Sequence, residues 1–212
     1  MKRTMIVIAA VALVAVPVVH AQKTQNAVTI TAAPKAVKFG GSITLSGKLT
    51  GSNVDGRNIR VQADEFPVNN NFAGAGNATT NATGDWSLVV KPDASTRYRA
   101  RIGNDESGNV DVAVRPRVSL RLSDRTPRRG QRVTFSGRVC PEHDGVPVEL
   151  QRRSTSGWKK IASPALADIS GVACSSYSVV KRVRRNGRFR THFAGDSDHA
   201  ASNSRVKRAR VH

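Results

Sequence analysis

This chain of 212 residues has few cysteines, few aromatic residues and few acidic residues. Its two cysteines cannot form a tetrahedral zinc site or the framework of a disulfide-dense miniprotein. After the N-terminus there is no run of 18 apolar residues, which excludes a membrane protein with several spans. The sequence is rich in positive charge instead, with 34 Lys and Arg against 15 Asp and Glu and a formal charge of +19.

Motifs for catalysis are also missing from the sequence. There is no G-x-S-x-G nucleophile motif, and the carboxylates of the C-terminal half lie mostly at turns instead of facing each other as a pair. The stretch Gly74-Ala75-Gly76 lacks the further glycine and the helix of a nucleotide-binding loop, so we interpret it as a flexible connection. We therefore expect no catalytic residues, no cofactor and no enzymatic activity.

The first 21 residues have the layout of a secretory signal peptide. Lys2 and Arg3 give a positive start, and residues 5–19 form an apolar run of 15 residues before a break at Ala21. This run is short for a bilayer core of about 30 Å, so we favour cleavage after Ala21 over an uncleaved anchor. We expect the remaining chain, 22–212, to be secreted or retained at the cell envelope, with no transmembrane span.

The rest of the chain contains two copies of one sequence pattern. Residues 40–49 match residues 130–139 position by position at an offset of 90. The joint lies near Arg115-Pro116-Arg117, and it divides a first repeat, 22–116, from a second repeat, 117–212. Because the joint is short and contains a proline, we expect a semi-rigid tandem. Further matches in the same order are Asp55-Gly56 with Asp144-Gly145, 59–62 with 148–151, 86–89 with 177–180, and 97–99 with 188–190.

Apolar and polar residues alternate along several segments of both repeats. A period of two is typical of a half-buried β-strand, and no apolar stripe with helical spacing appears after residue 21. Six or seven short strands in about 95 residues favour an antiparallel sandwich. The predicted fold class is therefore all-β, with two antiparallel β-sandwiches in tandem. The alternating segments are 42–49, 59–63, 97–102, 132–139 and 188–193.

Five motifs of the second repeat form a recognisable series. They are Gly130 with Val133-Thr134-Phe135-Ser136-Gly137, then Asp144-Gly145-Val146-Pro147-Val148-Glu149-Leu150-Gln151, Ser156-Gly157-Trp158, Arg188-Phe189-Arg190 and Gly195-Asp196-Ser197-Asp198-His199. This series resembles the bacterial Ig-like repeats of exported proteins. The likeness covers nearly all of 117–212 and, more loosely, 27–116. It implies Ig-like sandwiches that serve as extracellular spacers or binding modules without a fixed catalytic set.

Both cysteines lie in the second repeat. In the oxidising medium of an exported protein, Cys140 and Cys174 are expected to pair, although a reactive or metal-binding thiol pair is the alternative. Cys140 ends one predicted strand, and Cys174 precedes the strand that contains 177–180. The resemblance implies that these strands are antiparallel neighbours, which would bring the two cysteines together. The first repeat has Thr50 and Thr83 at the matching positions.

Positive charge is concentrated in the second repeat. The first repeat has 11 basic and 8 acidic residues, whereas the second has 21 and 7, which gives net charges of +3 and +14. Charge of one sign attracts polyanions, and the guanidinium fork suits phosphate and carboxylate groups. The alternative is a charged surface that only maintains solubility. The hypothetical anion-binding residues are Arg132, Arg138, Arg152, Arg153, Arg184, Arg185, Arg188, Arg190, Lys207 and Arg208.

Asp196, Asp198 and His199 lie close together in one predicted turn. Two carboxylates and an imidazole could bind a cation. However, a turn in which aspartates accept hydrogen bonds from backbone amides explains the same residues, and the first repeat keeps Asp105 there without a histidine. We therefore predict a polar turn and no metal site.

Two functions follow from this sequence. The first is a non-catalytic secreted or surface-associated tandem module for spacing or macromolecular contact. The alternative is an electrostatic binder of anionic envelope polymers or extracellular DNA through the second repeat. The expected partners are anionic polysaccharide, phospholipid headgroups or another envelope polymer. Sequence-specific recognition of nucleic acid is not expected, because no reading helix is predicted and the few aromatic residues face inward.

Overall fold

The computed structural model describes residues 26–212, which form β-strands joined by turns and irregular loops. The all-β class predicted from the period of two is confirmed. The predicted signal peptide, 1–21, lies outside the described residues. Across residues 26–212, no helix has the length and the apolar character that a membrane crossing requires.

The first repeat contains ten strands in two sheets. They are β1 (Ala27–Val28), β2 (Thr31–Ala33), β3 (Ala36–Lys38), β4 (Ile43–Thr50), β5 (Asn58–Glu65), β6 (Ala73–Thr79), β7 (Asp85–Val90), β8 (Thr96–Ile102), β9 (Asp105–Glu106) and β10 (Val110–Arg115). One sheet has the order β1-β4-β2, with β7 also paired to β4. The other has the order β3-β10-β8-β5-β6, with β9 paired to β8. The pairs are antiparallel except for β3 with β10.

The second repeat contains nine strands, again in two sheets. They are β11 (Arg117–Val118), β12 (Arg121–Leu122), β13 (Gln131–Cys140), β14 (Glu149–Ser154), β15 (Gly157–Ala162), β16 (Ser175–Val183), β17 (Gly187–Phe193), β18 (Ser202–Asn203) and β19 (Lys207–Ala209). One sheet has the order β11-β13-β12, with β16 also paired to β13. The other has the order β15-β14-β17-β18, with β19 also paired to β17. The strands that the sequence matches between repeats thus have equivalent neighbours.

Each repeat has its own hydrophobic core. In the first repeat, the inward residues of β4, β5 and β8 pack with Trp86 of β7. In the second repeat, one cluster is centred on Phe135 and Phe189, and another on Tyr177 and Phe193. The buried members of each cluster come from a single repeat. The expectation that the aromatic residues face inward is confirmed for Tyr98, Phe135, Phe189 and Phe193.

A glycine at equivalent positions of the two repeats allows the close approach of neighbouring chain segments. A Cβ atom at Gly47 would lie 1.9 Å from the carbonyl oxygen of Thr29 and 2.8 Å from the ring of Trp86. A Cβ atom at Gly137 would lie 2.1 Å from the carbonyl oxygen of Ser119. No other residue fits at these points of β4 and β13, which explains why a glycine occurs here in both copies.

The predicted disulfide between Cys140 and Cys174 is confirmed, with a Cα–Cα distance of 4.3 Å. β13 and β16 are antiparallel neighbours, so the end of β13 lies beside the start of β16. The disulfide therefore fixes this end of the second repeat.

The interpretation of Gly74-Ala75-Gly76 as a flexible connection is wrong. These residues belong to β6, which pairs with β5 on both sides of an irregularity at Ala75. Gly76 has a φ of +141°, and a Cβ atom there would lie 3.0 Å from the Leu88 side chain. The pairing shifts its register between Val61 and Gln62, and this irregularity hides the alternation that identified the other strands.

Candidate anion-binding site

Positive side chains converge on a cavity at one end of the second repeat. The cavity has a volume of about 480 Å³ and opens where β13 begins and β16 ends. Its floor is apolar, and Phe135 and Phe189 contribute to it with ring centroids 4.9 Å apart. The cationic residues that line it are Arg129, Arg152, Lys181, Arg182, Arg184 and Arg185.

The register of the strands explains why charged residues surround an apolar floor. Arg152 of β14 lies opposite Phe189 of β17, and opposite residues in an antiparallel pair face the same side of the sheet. Arg152 therefore points inward at the end of the core, where its Nη2 donates a hydrogen bond to the Asn186 carbonyl oxygen at 2.8 Å. On β16, Tyr177 and Val179 face inward, and Lys181 follows at the next position with the same orientation.

Within the described part of the chain, no acidic side chain lines this cavity. Among residues 26–212, none of its six cationic side chains takes part in an ion pair. Burial lowers the pKa of Arg152, and the nearby positive charge of Arg185 lowers it further. The contribution of Arg185 reflects the repulsion between like charges, which a bound anion would relieve.

One arginine that occurs in both repeats has an acidic cross-strand partner only in the first repeat. Arg97 of β8 forms a bidentate pair with Asp111 of β10, with its Nε 2.7 Å from Asp111 Oδ1 and its Nη2 3.0 Å from Asp111 Oδ2. The hydrogen bonds from Arg97 lower the pKa of Asp111. Arg188 is the equivalent of Arg97, and its partner across the strand pair is Arg208 of β19. A pair of opposite charges in one repeat is therefore a pair of like charges in the other.

The structure brings together only part of the hypothetical anion-binding set. Arg152, Arg184 and Arg185 line the cavity. Arg132 is the cross-strand partner of Arg182, which lines the cavity itself. Lys207 is opposite Phe189 but lines a different cavity, beside the joint of the repeats. Arg138 lies at the far end of β13, beside Tyr177.

Arg153 and Arg190 lie around the indole ring of Trp158. The guanidinium carbon of Arg190 is 4.5 Å from the ring centroid, and that of Arg153 is 5.6 Å away. Arg190 also donates a hydrogen bond from Nε to Gln151 Oε1 at 2.8 Å. Burial lowers the pKa of Arg190, with a smaller contribution from the charge of Arg153. These two arginines are held on the ring by cation–π contacts.

Three of the cavity residues are absent from the hypothetical set. Arg129, Lys181 and Arg182 belong to short basic clusters of the sequence, but their place at one cavity is visible only in the folded chain. A signal for Lys181 does exist, because the alternation of Tyr177 and Val179 continues through it.

Two groups of side chains could hold a metal ion among the described residues. Glu142, Asp144 and Asp168 are exposed, and contact with Asp144 raises the pKa of Glu142. His143, Asp196 and His199 form the second group. The predicted turn is present, because Asp196 Oδ1 accepts a hydrogen bond from the backbone amide of His199 at 2.8 Å.

No model of a known protein family matches the chain, and no curated protein sequence is significantly similar to it.

Proposed function

We propose that the chain is a non-catalytic, exported tandem of Ig-like β-sandwiches whose second repeat binds anionic polymers of the cell envelope. One observation carries this proposal: six cationic side chains, none of them in an ion pair within residues 26–212, surround a single cavity. A positive electrostatic potential at a concave site raises the local concentration of anions.

The chemistry of the cavity supports binding of phosphate or carboxylate groups. Five of its six cationic residues are arginines, whose planar fork can donate two hydrogen bonds to one such group. The apolar floor strengthens these interactions, because it lowers the effective dielectric constant around the charges. Guanidinium groups stay protonated, so they suit binding better than proton transfer.

Further positive charges of the second repeat support a polymer as the ligand instead of a single small anion. Arg132 extends the positive surface from the cavity along β13 and β16, since it pairs with Arg182. Arg188 and Arg208 form a second pair of like charges on β17 and β19. A phosphate polymer, unlike a single anion, is long enough to contact more than one of these positive groups, and each contact would release counterions.

The arrangement of the repeats supports a spacing role beside the binding role. The backbone amide of Ser95 donates to the carbonyl oxygen of Asp198 at 2.8 Å, and that of Ala200 donates to the carbonyl oxygen of Val114 at 2.8 Å. Ser202 Oγ donates to the carbonyl oxygen of Pro116 at 2.7 Å. These bonds would hold the second repeat at a fixed position relative to the first.

The test is the affinity of the purified protein for inorganic polyphosphate of defined length, the simplest phosphate polymer. The double substitution Arg184→Glu with Arg185→Glu reverses two exposed charges at the cavity. We expect it to weaken binding by at least about tenfold at low salt. The measurement is isothermal titration calorimetry.

The matched control is Arg60→Glu with Arg115→Glu, which makes the same change of net charge on exposed strand residues of the first repeat. We expect the affinity of the control to stay within about threefold of the wild-type value. Equal losses in both double variants would contradict a localised site and would favour a diffuse charge effect.

A further inference from the structure

Two buried histidines meet beside the junction of the repeats. His143 follows β13, whereas His199 lies in the loop between β17 and β18. Their side chains are only 4% and 5% exposed, and their ring centroids are 4.8 Å apart. The sequence separates these residues by more than fifty positions, so their meeting is a product of the fold.

One nitrogen of each ring, called the outer nitrogen, forms a hydrogen bond with a backbone carbonyl group. His143 Nδ1 lies 2.7 Å from the carbonyl oxygen of Pro141, and His199 Nε2 lies 3.0 Å from that of Asp93. Because a carbonyl oxygen can only accept, each of these nitrogens must carry the proton. In neutral rings, His143 Nε2 and His199 Nδ1 are therefore bare lone pairs.

These two inner nitrogens are buried and have no hydrogen-bond partner. Each lies close to a carboxylate oxygen: His143 Nε2 is 3.1 Å from Asp196 Oδ2, and His199 Nδ1 is 3.4 Å from Asp198 Oδ2. A nitrogen lone pair and the carboxylate oxygen that faces it repel each other unless a cation lies between them. Asp196 Oδ1 already accepts the His199 amide, which leaves Oδ2 for such a cation.

The spacing of these atoms suits a tetrahedral metal ion. Ligand atoms that lie 2.0–2.1 Å from a tetrahedral centre are about 3.4 Å from one another. The nitrogen–oxygen distances given above, 3.1 Å between His143 and Asp196 and 3.4 Å between His199 and Asp198, are close to this value. One atom each of His143, Asp196 and His199 lie within 4.8 Å of one another.

We infer that His143 Nε2, His199 Nδ1 and Asp196 Oδ2, with Asp198 as fourth ligand, bind a divalent transition metal ion of the zinc class. Imidazole and carboxylate together suit Zn²⁺. The carbonyl bonds on the outer nitrogens are the support that metal-binding histidines have, since they fix the tautomer and the ring orientation. This inference does not depend on the proposed function.

The ion would also stabilise the contact between the repeats. The carbonyl group that holds His199 belongs to Asp93 of the first repeat. Asp198, beside His199, accepts the backbone bond from Ser95 of the first repeat. Binding of metal at the second repeat would therefore order a contact with the first.

The test uses purified protein without a histidine tag, treated with a chelator, dialysed and titrated with ZnCl₂. We expect one Zn²⁺ per chain and a higher melting temperature in its presence. With Co²⁺ as a spectroscopic probe, we expect the intense visible absorption of tetrahedral coordination. A weak spectrum of the octahedral aqua ion, or no uptake of Zn²⁺, would overturn the inference without any variant.

Two variants remove a ligand and keep the structural hydrogen bond. The amide of His143→Asn can replace the Nδ1 donor to Pro141, and that of His199→Gln can replace the Nε2 donor to Asp93. We expect each to weaken Zn²⁺ binding at least about tenfold. His192→Asn is the control, because His192 lies on β17 and bonds Asn203.

Two further outcomes would overturn the inference. One is Zn²⁺ affinity that is equal in the wild type and in both ligand variants. The other is a metal-free protein in which nuclear magnetic resonance shows both rings as imidazolium at neutral pH while Zn²⁺ is not taken up. Protons would then supply the positive charge between the nitrogens and the carboxylates.

Discussion

At the scale of single residues, small groups decide where strands can approach each other. Gly47 and Gly137 admit the carbonyl groups of Thr29 and Ser119 to positions that a Cβ atom would occupy. The hydroxyl group of Tyr177 also reaches this point and donates to the Ser119 carbonyl oxygen at 2.7 Å. One glycine and one hydroxyl group thus hold the segment between β11 and β12 against β13.

Replacement of Gly47 should destabilise the first repeat. Gly47→Ala places a methyl group against backbone atoms that cannot move independently, so we expect a loss of about 1–3 kcal/mol in the free energy of unfolding. The matched control is Gly74→Ala, because a Cβ atom at Gly74 has no neighbour within 4 Å. We expect the control to change stability by less than about 0.5 kcal/mol. Urea denaturation measures both, and equal stabilities would contradict this account of the close approach.

The ionisation of Tyr177 should make stability depend on alkaline pH. Burial raises the pKa of Tyr177 to about 12. An unfolded tyrosine ionises near pH 10, so the stabilisation is complete below pH 10 and is lost as pH rises through about 12. At about pH 11, the free energy of unfolding of the wild type should be about 1.4 kcal/mol lower because Tyr177 ionises in the unfolded chain. The Tyr177→Phe variant lacks this ionisation and should not show the loss. Chemical denaturation at about pH 8 and about pH 11 checks this, and a constant difference between the two proteins would refute it.

At the scale of strands, the alternation of polar and apolar residues is the pattern that predicts the strands. β4, β13 and β17 were predictable because their alternation is regular and is repeated. β6 was not, because Gly74, Ala75 and Gly76 give no contrast between its faces and the register shifts beside them. Local pattern identifies a strand only where the side chains differ in polarity from one position to the next.

Cross-strand pairs show how the two repeats have diverged in charge. Arg208→Asp would place a carboxylate opposite Arg188, as Asp111 lies opposite Arg97 in the first repeat. We expect the second repeat to gain about 0.2–1 kcal/mol of stability and to bind polyphosphate more weakly. Denaturation and titration calorimetry measure the two effects.

Arg210→Asp is the control for that substitution. It changes the net charge equally, but Arg210 lies just beyond β19 and has no partner in the pairing of β17 with β19. We expect the control to leave the stability unchanged. If both variants gained the same stability, the cross-strand pair would not be the cause.

At the scale of the whole molecule, charge and contacts come from distant parts of the sequence. The excess of positive charge in the second repeat was visible in composition, but the cavity forms only when the ends of β13, β14 and β16 meet. In the same way, His143 and Asp196 belong to separate loops, and no spacing in the sequence predicts their contact. Sequence therefore revealed which groups are present, and the fold determined which of them act together.

The most direct test of anion binding is the salt dependence of the affinity for polyphosphate. If four to six cationic side chains of the cavity each neutralise one phosphate, the logarithm of the association constant should fall linearly with the logarithm of the salt concentration. Between about 50 and 200 mM salt, the affinity should drop about 50- to 300-fold. An affinity that does not change with salt over this range would contradict the account.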